Sequence, residues 1–262
     1  MSLEADLQPE RKGPPKLLTL DIETSPLVVH RWSLYGDSPV SLNQLMETTR
    51  VICFAAKWYG EKKVLFFSEH HHGREAMVKA AWDLMNEAEI ICTFNGPSFD
   101  IKHLQREFIL STPPLGPPSP FKNVDLLRTV RSQFKFASNK LQHVAQQLGL
   151  GSKFDHEGHA LWTACMNGDD KAWGRMRSYA KQDVVLTEQL LDALGPWVKN
   201  FPHTGLYHGE DRACFRCGST NLKQDGYTYT ALTKYARLRC EDCGAWSRLN
   251  HRKGNTDTRS IT

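Results

Sequence analysis

The sequence has no long apolar run, no large excess of either charge and no secretion signal. Its apolar stretches fall well short of the ~20 residues that cross a bilayer, and the polar N-terminus lacks the apolar segment of a signal peptide. Even so, 40% of the 262 residues are hydrophobic, which is enough for a packed core. Membrane-spanning, fibrous and disordered classes are therefore excluded, and we expect a cytoplasmic protein.

The small net charge of +4 is distributed unevenly along the chain. Residues 1–199 carry 23 basic and 23 acidic side chains, whereas residues 200–262 carry ten basic and six acidic ones. The seven cysteines divide in the same way, because three are scattered through the long segment and four form two Cys-x-x-Cys pairs in the short one. In a reducing cytosol such pairs more often bind metal than form disulfides. We therefore predict two domains of different chemistry.

Apolar periodicity predicts an α/β domain over residues 17–198, after a polar, proline-bearing tail at 1–16. Three predicted strands precede the first predicted helix, which indicates a meander followed by helices that cross the sheet. The predicted strands cover 17–23, 51–58, 63–68, 89–94 and the surroundings of 124–127, and the predicted helices cover 74–88, 98–110, 138–148 and 173–194.

Two carboxylates, Asp21 and Glu23, stand at the end of the first predicted strand. Side chains two residues apart lie on one face of a strand, so both carboxylates point the same way, together with Thr19. Like charges this close raise each other's pKa unless a cation lies between them, which makes a divalent metal site one interpretation. An exposed strand end is the alternative that this pair alone leaves open.

Two further carboxylates each follow a polar residue at a fixed spacing. Asp100 follows Asn95 where a strand gives way to a helix, a position at which a carboxylate can also complement the helix dipole. Asp183 follows Tyr179 by four residues, so the phenol and the carboxylate are neighbours on one face of the last helix. Either pair alone can arise by chance. The informative feature is that both pairs follow Asp-x-Glu in this order along the chain.

Together the segments LLTLDIETSP, TFNGPSFD and SYAKQDVVLT resemble the three motifs of the DEDD 3′→5′ exonucleases, in the branch with tyrosine in its last motif. The resemblance spans about residues 17–195. It implies a ribonuclease-H-like fold, namely a mixed five-stranded sheet flanked by helices, with its first three strands antiparallel. Stand-alone exonucleases of this kind fit a bacterium or a phage-infected cell, and we expect such a source.

The resemblance also implies a two-metal mechanism and the residues that serve it. Asp21, Glu23, Asp100 and Asp183 would hold two Mg²⁺ or Mn²⁺ ions, and Tyr179 would orient the attacking water. A pair of such ions ~3.5–4 Å apart stabilises both the attacking and the leaving oxygen of a phosphodiester. All five residues are therefore predicted to be catalytic.

Polar residues beside these motifs are candidates for contacts with the substrate. Thr24, Ser25 and Asn95 could bind the terminal nucleotide, although polar loop residues often only form turns. Asp125, at the end of a predicted strand, could support the site or cap a helix.

The C-terminal segment contains two Cys-x-x-Cys pairs separated by 22 residues, and glycine follows the second cysteine of each pair. Four thiolates match tetrahedral Zn²⁺, and glycine allows the backbone to turn tightly around the metal. Threonine and tyrosine between the pairs favour a β-hairpin. We therefore predict a zinc ribbon over 212–250 with one structural Zn²⁺, preceded by a linker at 199–211 and followed by a tail at 251–262. The ligands are Cys214, Cys217, Cys240 and Cys243.

Basic and aromatic residues alternate within the predicted ribbon. Arg237 and Arg239 could neutralise phosphates, while Tyr235 and Trp246 could stack on unpaired bases. A surface on which a replication or repair protein docks is the alternative for the same residues.

The sequence therefore predicts a metal-dependent 3′→5′ exonuclease that acts on DNA rather than RNA, prefers single-stranded ends and holds nucleic acid with its zinc ribbon. An exoribonuclease of the ribonuclease D type is one alternative, because ribonuclease D has the same tyrosine-type motif and no motif here distinguishes RNA from DNA by its 2′-hydroxyl. A nucleic-acid-binding adaptor with a vestigial nuclease site is the other.

Overall fold

The computed structural model describes residues 13–33, 39–151 and 158–259, which form two compact units. The first unit is Lys16–Asp192, and the second begins at Ala193 and includes the described residues before Lys16. The division falls inside the long helix Asp170–Leu194, a few residues before the predicted domain end at 198. Within the described ranges, no helix is both long and apolar enough to cross a membrane.

The first unit begins with strands and continues with helices, as the meander predicts. Its elements are β1 (Leu17–Thr24), β2 (Val28–Val29), β3 (Leu45–Glu47), β4 (Val51–Trp58), β5 (Leu65–Ser68), α1 (Glu69–His72), α2 (Arg74–Glu87), β6 (Ile90–Thr93), α3 (Asp100–Leu110), β7 (Lys122–Asp125), α4 (Leu126–Gln133), α5 (Leu141–Gln147), α6 (His159–Met166) and α7 (Asp170–Leu194).

Five of these strands form one mixed sheet in the order β5-β4-β1-β6-β7. Strand β4 is antiparallel to both β1 and β5, whereas β6 is parallel to β1 and to β7. The predicted mixed five-stranded sheet with three antiparallel strands first is therefore confirmed.

The two faces of the central strand have different chemistry. Leu18, Leu20 and Ile22 pack into an apolar cluster with residues of α2 and α3. The alternate residues, among them Asp21 and Glu23, point to the opposite face, where α6 and α7 pack on β4 and β5. Period-two alternation thus buries an apolar face and places two carboxylates under α7.

The predicted strand around 124–127 is wrong in its second half. Strand β7 ends at Asp125, and Leu126 begins α4. The Asp125 carboxylate accepts a hydrogen bond from the backbone N–H of Leu127 at 3.0 Å, which caps the helix. The two leucines are buried as the first turn of a helix and not as strand residues.

The second unit contains a short helix and a three-stranded antiparallel sheet in the order β10-β9-β8. Its elements are α8 (Thr204–His208), β8 (Leu222–Tyr229), β9 (Thr233–Cys240) and β10 (Trp246–Asn255).

The segments predicted as a linker and as tails contain the following structure. The predicted linker at 199–211 contains α8, because the backbone N–H of Thr204 donates to the Phe215 carbonyl at 2.9 Å and holds the segment against the first cysteine pair. The predicted tail at 251–262 begins as strand, because Asn255 still pairs with Thr233. In the predicted tail at 1–16, Gly13 donates to the carbonyl of residue 207; residues 1–12 and 260–262 lie outside the described residues.

Candidate functional site

The carboxylates of the first motif lie on the central strand of the sheet. In the register of β1 with β4, Asp21 lies opposite Ala55 and Glu23 lies opposite Cys53. Both partners belong to the apolar cluster formed with α6 and α7. Because opposite residues of antiparallel strands share a face, Asp21 and Glu23 lie on the side that α7 covers.

Asp100 is the first residue of α3 and is only 3% exposed. Its carboxylate accepts a hydrogen bond from the backbone N–H of Ile22 at 3.1 Å. Ile22 stands between the two carboxylates of β1, so this bond places Asp100 directly beside them.

The turn before α3 is held by hydrogen bonds that reach the neighbouring strand. Asn95 has a φ of 84°, and its backbone N–H donates to the Asp125 carboxylate at 2.9 Å. The N–H of Gly96 donates to the Thr93 hydroxyl at 3.1 Å. Asp125 therefore caps α4, as predicted, and also fixes the turn that leads to Asp100, while its support of a catalytic site stays a prediction.

Helix α7 brings the third motif to the same face. Asp183 is 8% exposed, and the hydroxyl of Tyr179, one helical turn earlier, is hydrogen-bonded to it. Burial raises the pKa of Tyr179, and the charges of Glu23 and Asp183 raise it further. The phenol therefore keeps its proton and lies near both the first and the third motif.

The pKa values of three of the four carboxylates are raised, and neighbouring carboxylates contribute to the shifts of the two on β1. Burial raises the pKa of Asp21 well above its ordinary value, and the other three carboxylates raise it further. Burial, followed by the charges of Asp183 and Asp100, raises the pKa of Glu23 to about 8. Burial also raises the pKa of Asp100 to about 7, although backbone hydrogen bonds, including the one from Ile22, oppose this shift. The side chains therefore form one electrostatic cluster.

Three members of this cluster have no ion pair that compensates their charge. In the described part of the chain, no Lys or Arg forms an ion pair with Asp21, Glu23 or Asp100. Among the described residues, the four cysteines lie close enough together to surround a single ion. The carboxylates are spread more widely than these cysteines. Buried oxygen donors with uncompensated charge fit a pair of Mg²⁺ or Mn²⁺ ions.

The candidate substrate contacts next to Glu23 have different surroundings. Thr24 is half-buried and follows a register shift in the pairing of β1 with β4. Ser25 is 4% exposed, and its hydroxyl accepts a hydrogen bond from the backbone N–H of Arg50 at 3.0 Å. Ser25 therefore joins the end of β1 to the start of β4, and its contact with a nucleotide stays a prediction.

The four cysteines of the second unit come together as their spacing predicts. The Sγ atoms of Cys214 and Cys243 are 3.5 Å apart, and those of Cys217 and Cys240 are 3.7 Å apart. Thiolates ~2.3 Å from a tetrahedral zinc lie about 3.8 Å from one another. All four cysteines are free thiols, so the donor set and its spacing fit Zn²⁺.

Both cysteine pairs form the same tight turn. The N–H of Gly218 donates to the Cys214 carbonyl at 2.9 Å, and the N–H of Gly244 donates to the Cys240 carbonyl at 3.0 Å. Each glycine has a φ of 75°, a left-handed conformation that other residues adopt only with strain. Glycine after the second cysteine is therefore a requirement of the turn.

One face of the second sheet is both cationic and aromatic. Ala236 and Leu238 of β9 are buried, so the alternate residues Tyr235, Arg237 and Arg239 point to the opposite face. We call this surface the ribbon face.

Strand β10 adds to the ribbon face. Trp246 lies opposite Arg239, and Arg248 lies opposite Arg237. The Arg237 guanidinium is 4.6 Å from the centre of the Trp246 ring, and that of Arg248 is 3.8 Å from the Tyr235 ring. The four predicted nucleic-acid contacts of the ribbon therefore share one surface.

A sequence model of the RNase H superfamily matches residues 43–195. The chain belongs to this superfamily. The match begins after Asp21 and Glu23, so the first motif rests on its own residues and on the geometry above. Among curated protein sequences, none matches this chain.

This RNase H-superfamily chain is also similar to a solved structure of the family B DNA polymerase from the hyperthermophilic archaeon Pyrobaculum calidifontis. The similarity has a TM-score of 0.52 at 18% sequence identity, and it covers 84% of this chain and 32% of the polymerase. It therefore concerns the fold, and this chain spans about a third of the polymerase's length.

One residue of the ribbon face of this RNase H-superfamily protein was missed at the sequence level. Lys223 on β8 lies opposite Arg239, on the same face of the sheet. Lys223 has no adjacent aromatic residue in the sequence, so the basic and aromatic pattern does not include it. The pairing register of β8 with β9 is the signal that identifies it.

Proposed function

We propose that this RNase H-superfamily protein is a metal-dependent 3′→5′ exonuclease that acts on DNA and prefers single-stranded ends. The observation that carries the proposal is the convergence of Asp21, Glu23, Asp100 and Asp183 in one electrostatic cluster beside Tyr179. The direction of degradation rests on the resemblance of the three motifs. Ribonuclease D is similar in the same motifs, so the choice of DNA over RNA is the part of the proposal that the substrate comparison below tests.

The four carboxylates would hold two Mg²⁺ or Mn²⁺ ions. When bound, such a pair stabilises the negative charge that develops on the attacking and leaving oxygens of a phosphodiester. In the described part of the chain, no ion pair with Lys or Arg offsets the charge of Asp21, Glu23 or Asp100, which supports this assignment because buried carboxylates otherwise repel one another.

Tyr179 would orient the attacking water through a hydrogen bond. A phenol is protonated at neutral pH even without a shift, so its role is to position the water and not to take up a proton. Its ring contacts Trp162 at a centroid distance of 5.9 Å and an angle of 68°. This contact and the hydrogen bond to Asp183 hold the hydroxyl in a defined place.

The zinc ribbon would contribute affinity for nucleic acid. Guanidinium groups neutralise phosphates, and exposed aromatic rings stack on unpaired bases in a sequence-tolerant way. Tyr235, Arg237, Arg239 and Trp246 supply both kinds of group on one surface. Docking of a replication or repair protein on this surface is the alternative for the same residues.

The test is to incubate the full chain with Mg²⁺ or Mn²⁺ and with single-stranded DNA, duplex DNA and RNA, each labelled at one end. We expect stepwise shortening of DNA from its 3′ end. The variant Asp21→Asn should lose roughly three decades of rate, or about 4 kcal/mol of transition-state stabilisation. Asp83→Asn, which removes an exposed carboxylate of α2, is the matched control.

Each alternative has its own outcome. Shortening of RNA alone supports an exoribonuclease, and tight binding without hydrolysis supports an adaptor. If Asp21→Asn cleaves DNA as fast as Asp83→Asn, the carboxylate cluster is not the catalytic site and the proposal is wrong.

A further inference from the structure

A cationic cavity lies in the first unit outside the carboxylate cluster. It has a volume of about 360 Å³ and is lined by Phe66, His71, His72, Arg177 and Lys181. None of these residues is acidic. In the described part of the chain, neither Arg177 nor Lys181 forms an ion pair with a carboxylate. A concave surface of this composition attracts anions.

Local contacts hold the lining of the cavity in place. The Ser68 hydroxyl accepts a hydrogen bond from the backbone N–H of His71 at 3.1 Å and caps the turn that carries the histidines. The Arg177 guanidinium contacts Nε2 of His71 at 2.9 Å and lies 5.6 Å from the centre of the Phe66 ring. The nearby carboxylate of Asp170 is occupied by His70 at 2.7 Å.

Arg177 and Lys181 supply the positive charge of this cavity. Burial lowers the pKa of His71, and the positive charge of Arg177 lowers it further. A neutral His71 can accept the hydrogen bond from the Arg177 guanidinium at its Nε2, and the charge of Arg177 and Lys181 is then available to an anion.

The cavity and the carboxylates lie at the same edge and on the same face of the sheet. Strands β1 and β5 are both antiparallel to β4, so they run in the same direction. Glu23, Cys53 and Ser68 form one row across the three strands, and Phe66 occupies the row of Asp21. Strands β1 and β5 are separated by two strand spacings of ~4.8 Å each, which places the cavity roughly 10 Å from the carboxylates.

Helix α7 contributes to both places. Tyr179 and Asp183 lie on its flank towards β1, and Arg177 and Lys181 lie on its flank towards β5. Residues four apart share a flank and residues two apart lie on opposite flanks, so one helix positions the chemistry and the cationic pair.

From this placement we infer that the cavity binds a backbone phosphate of the nucleic-acid strand whose end lies in the carboxylate cluster. The inference rests on the proposed function. The distance of roughly 10 Å, from two strand spacings, suits a backbone phosphate of the same strand beyond the bond that is cleaved. The cavity therefore contributes to binding only for substrates that are long enough to reach it, and a dinucleotide is too short.

The test compares the double variant Arg177→Ala/Lys181→Ala with the control Lys171→Ala, which removes an exposed positive charge from the same helix outside the cavity. Fluorescence anisotropy of the full chain with a ten-nucleotide single strand, in Ca²⁺, gives the affinity and its salt dependence. We expect the double variant to bind about tenfold more weakly than the control, with a salt slope lower by ~0.7 for each phosphate that is no longer neutralised. Cleavage of a dinucleotide in Mg²⁺ should be equal in the two proteins.

The single variant Lys181→Ala guards against misfolding, and its melting temperature should equal that of the control. Equal affinity and equal salt slope in the double variant and the control would overturn the inference. If the wild-type protein binds the strand but never cleaves it, the proposed function fails, while the salt slopes still decide whether the cavity binds phosphate.

Discussion

Replacing Asp183 by Asn should stabilise the protein while it destroys the proposed metal site. Glu23 has a pKa raised from 4.5 to about 8, with burial as the larger cause and the charge of Asp183 as the next. A shift of this size corresponds to about 5 kcal/mol between the protonated and ionised forms. Because the folded-state pKa is the higher one, the folded protein loses stability as the pH rises from 4.5 to 8, and the loss is complete above 8.

Asparagine removes the charge of Asp183 and keeps its shape and its acceptor oxygen for the Tyr179 hydroxyl. Burial of Glu23 persists, so we expect only part of the cost to be recovered, on the order of 1–2 kcal/mol for one charge pair at an effective dielectric constant of ~20. For a unit of this size that is a rise in melting temperature of about 2–8 °C. The gain should be largest at pH 8 and above.

The assay is a thermal melt at pH 8.5, with and without Mn²⁺, in buffer otherwise free of divalent ions. Wild type should gain about 3 kcal/mol at a hundredfold excess of Mn²⁺ over its dissociation constant, and Asp183→Asn should gain much less. Asp83→Asn, which changes an exposed carboxylate, should behave as wild type in both buffers. A metal-free Asp183→Asn protein that melts below wild type, or one with the full Mn²⁺ response, would refute the reasoning.

Three further predictions concern other parts of the molecule. Cys243→Ser should reduce the bound zinc, measured by elemental analysis, from one ion per chain to none. Zinc in such sites supplies about 10–16 kcal/mol of folding energy. Retention of zinc would contradict the assignment. Trp246→Ala should weaken binding of single-stranded DNA by ~1–3 kcal/mol in anisotropy titrations, whereas Trp197→Ala, another exposed tryptophan, should not. Gly96→Ala should lower stability by about 1–3 kcal/mol in denaturant melts, because a Cβ there would lie 2.1 Å from the Thr93 hydroxyl; an unchanged midpoint would show that the turn can move.

Local periodicity was sufficient to predict the parts of the carboxylate cluster that lie on single elements. The period of two places Asp21 and Glu23 on one face of β1, and the helical period places Tyr179 beside Asp183. Both patterns depend only on residues within one element. They are therefore visible without knowledge of the fold.

The junction between the elements could not be predicted in the same way. The hydrogen bond from Ile22 to Asp100 joins residues 78 positions apart, and it requires α3 to begin at Asp100 and not at 98 as predicted. Leu126 and Leu127 illustrate the same limit, because a short apolar run has no period that separates a buried strand from the first turn of a buried helix. The cap formed by Asp125 makes this run the first turn of a helix, and the cap depends on local geometry.

The ribbon shows a similar division between spacing and register. The spacing of the cysteines was sufficient to predict a four-thiolate site. The ribbon face depends on which residues of β9 and β10 lie opposite each other, as Arg239 and Trp246 do. A slip of one residue would move Trp246 to the buried face, so the pairing itself creates the surface.

The division of charge between the two units has a consequence for the order of binding. The first unit has no net excess of charge, but its clustered carboxylates lie at the place where the proposed function requires a phosphodiester. A polyanion is repelled there until cations neutralise the cluster, and cations bind more tightly once a phosphate supplies further oxygen ligands. Under the proposed function, we therefore expect binding of metal and binding of the strand to be positively coupled, and by linkage each would strengthen the other by the same factor. The proposed binding of nucleic acid by the basic ribbon has no such requirement, so we expect the ribbon to hold a strand before the carboxylate cluster is loaded.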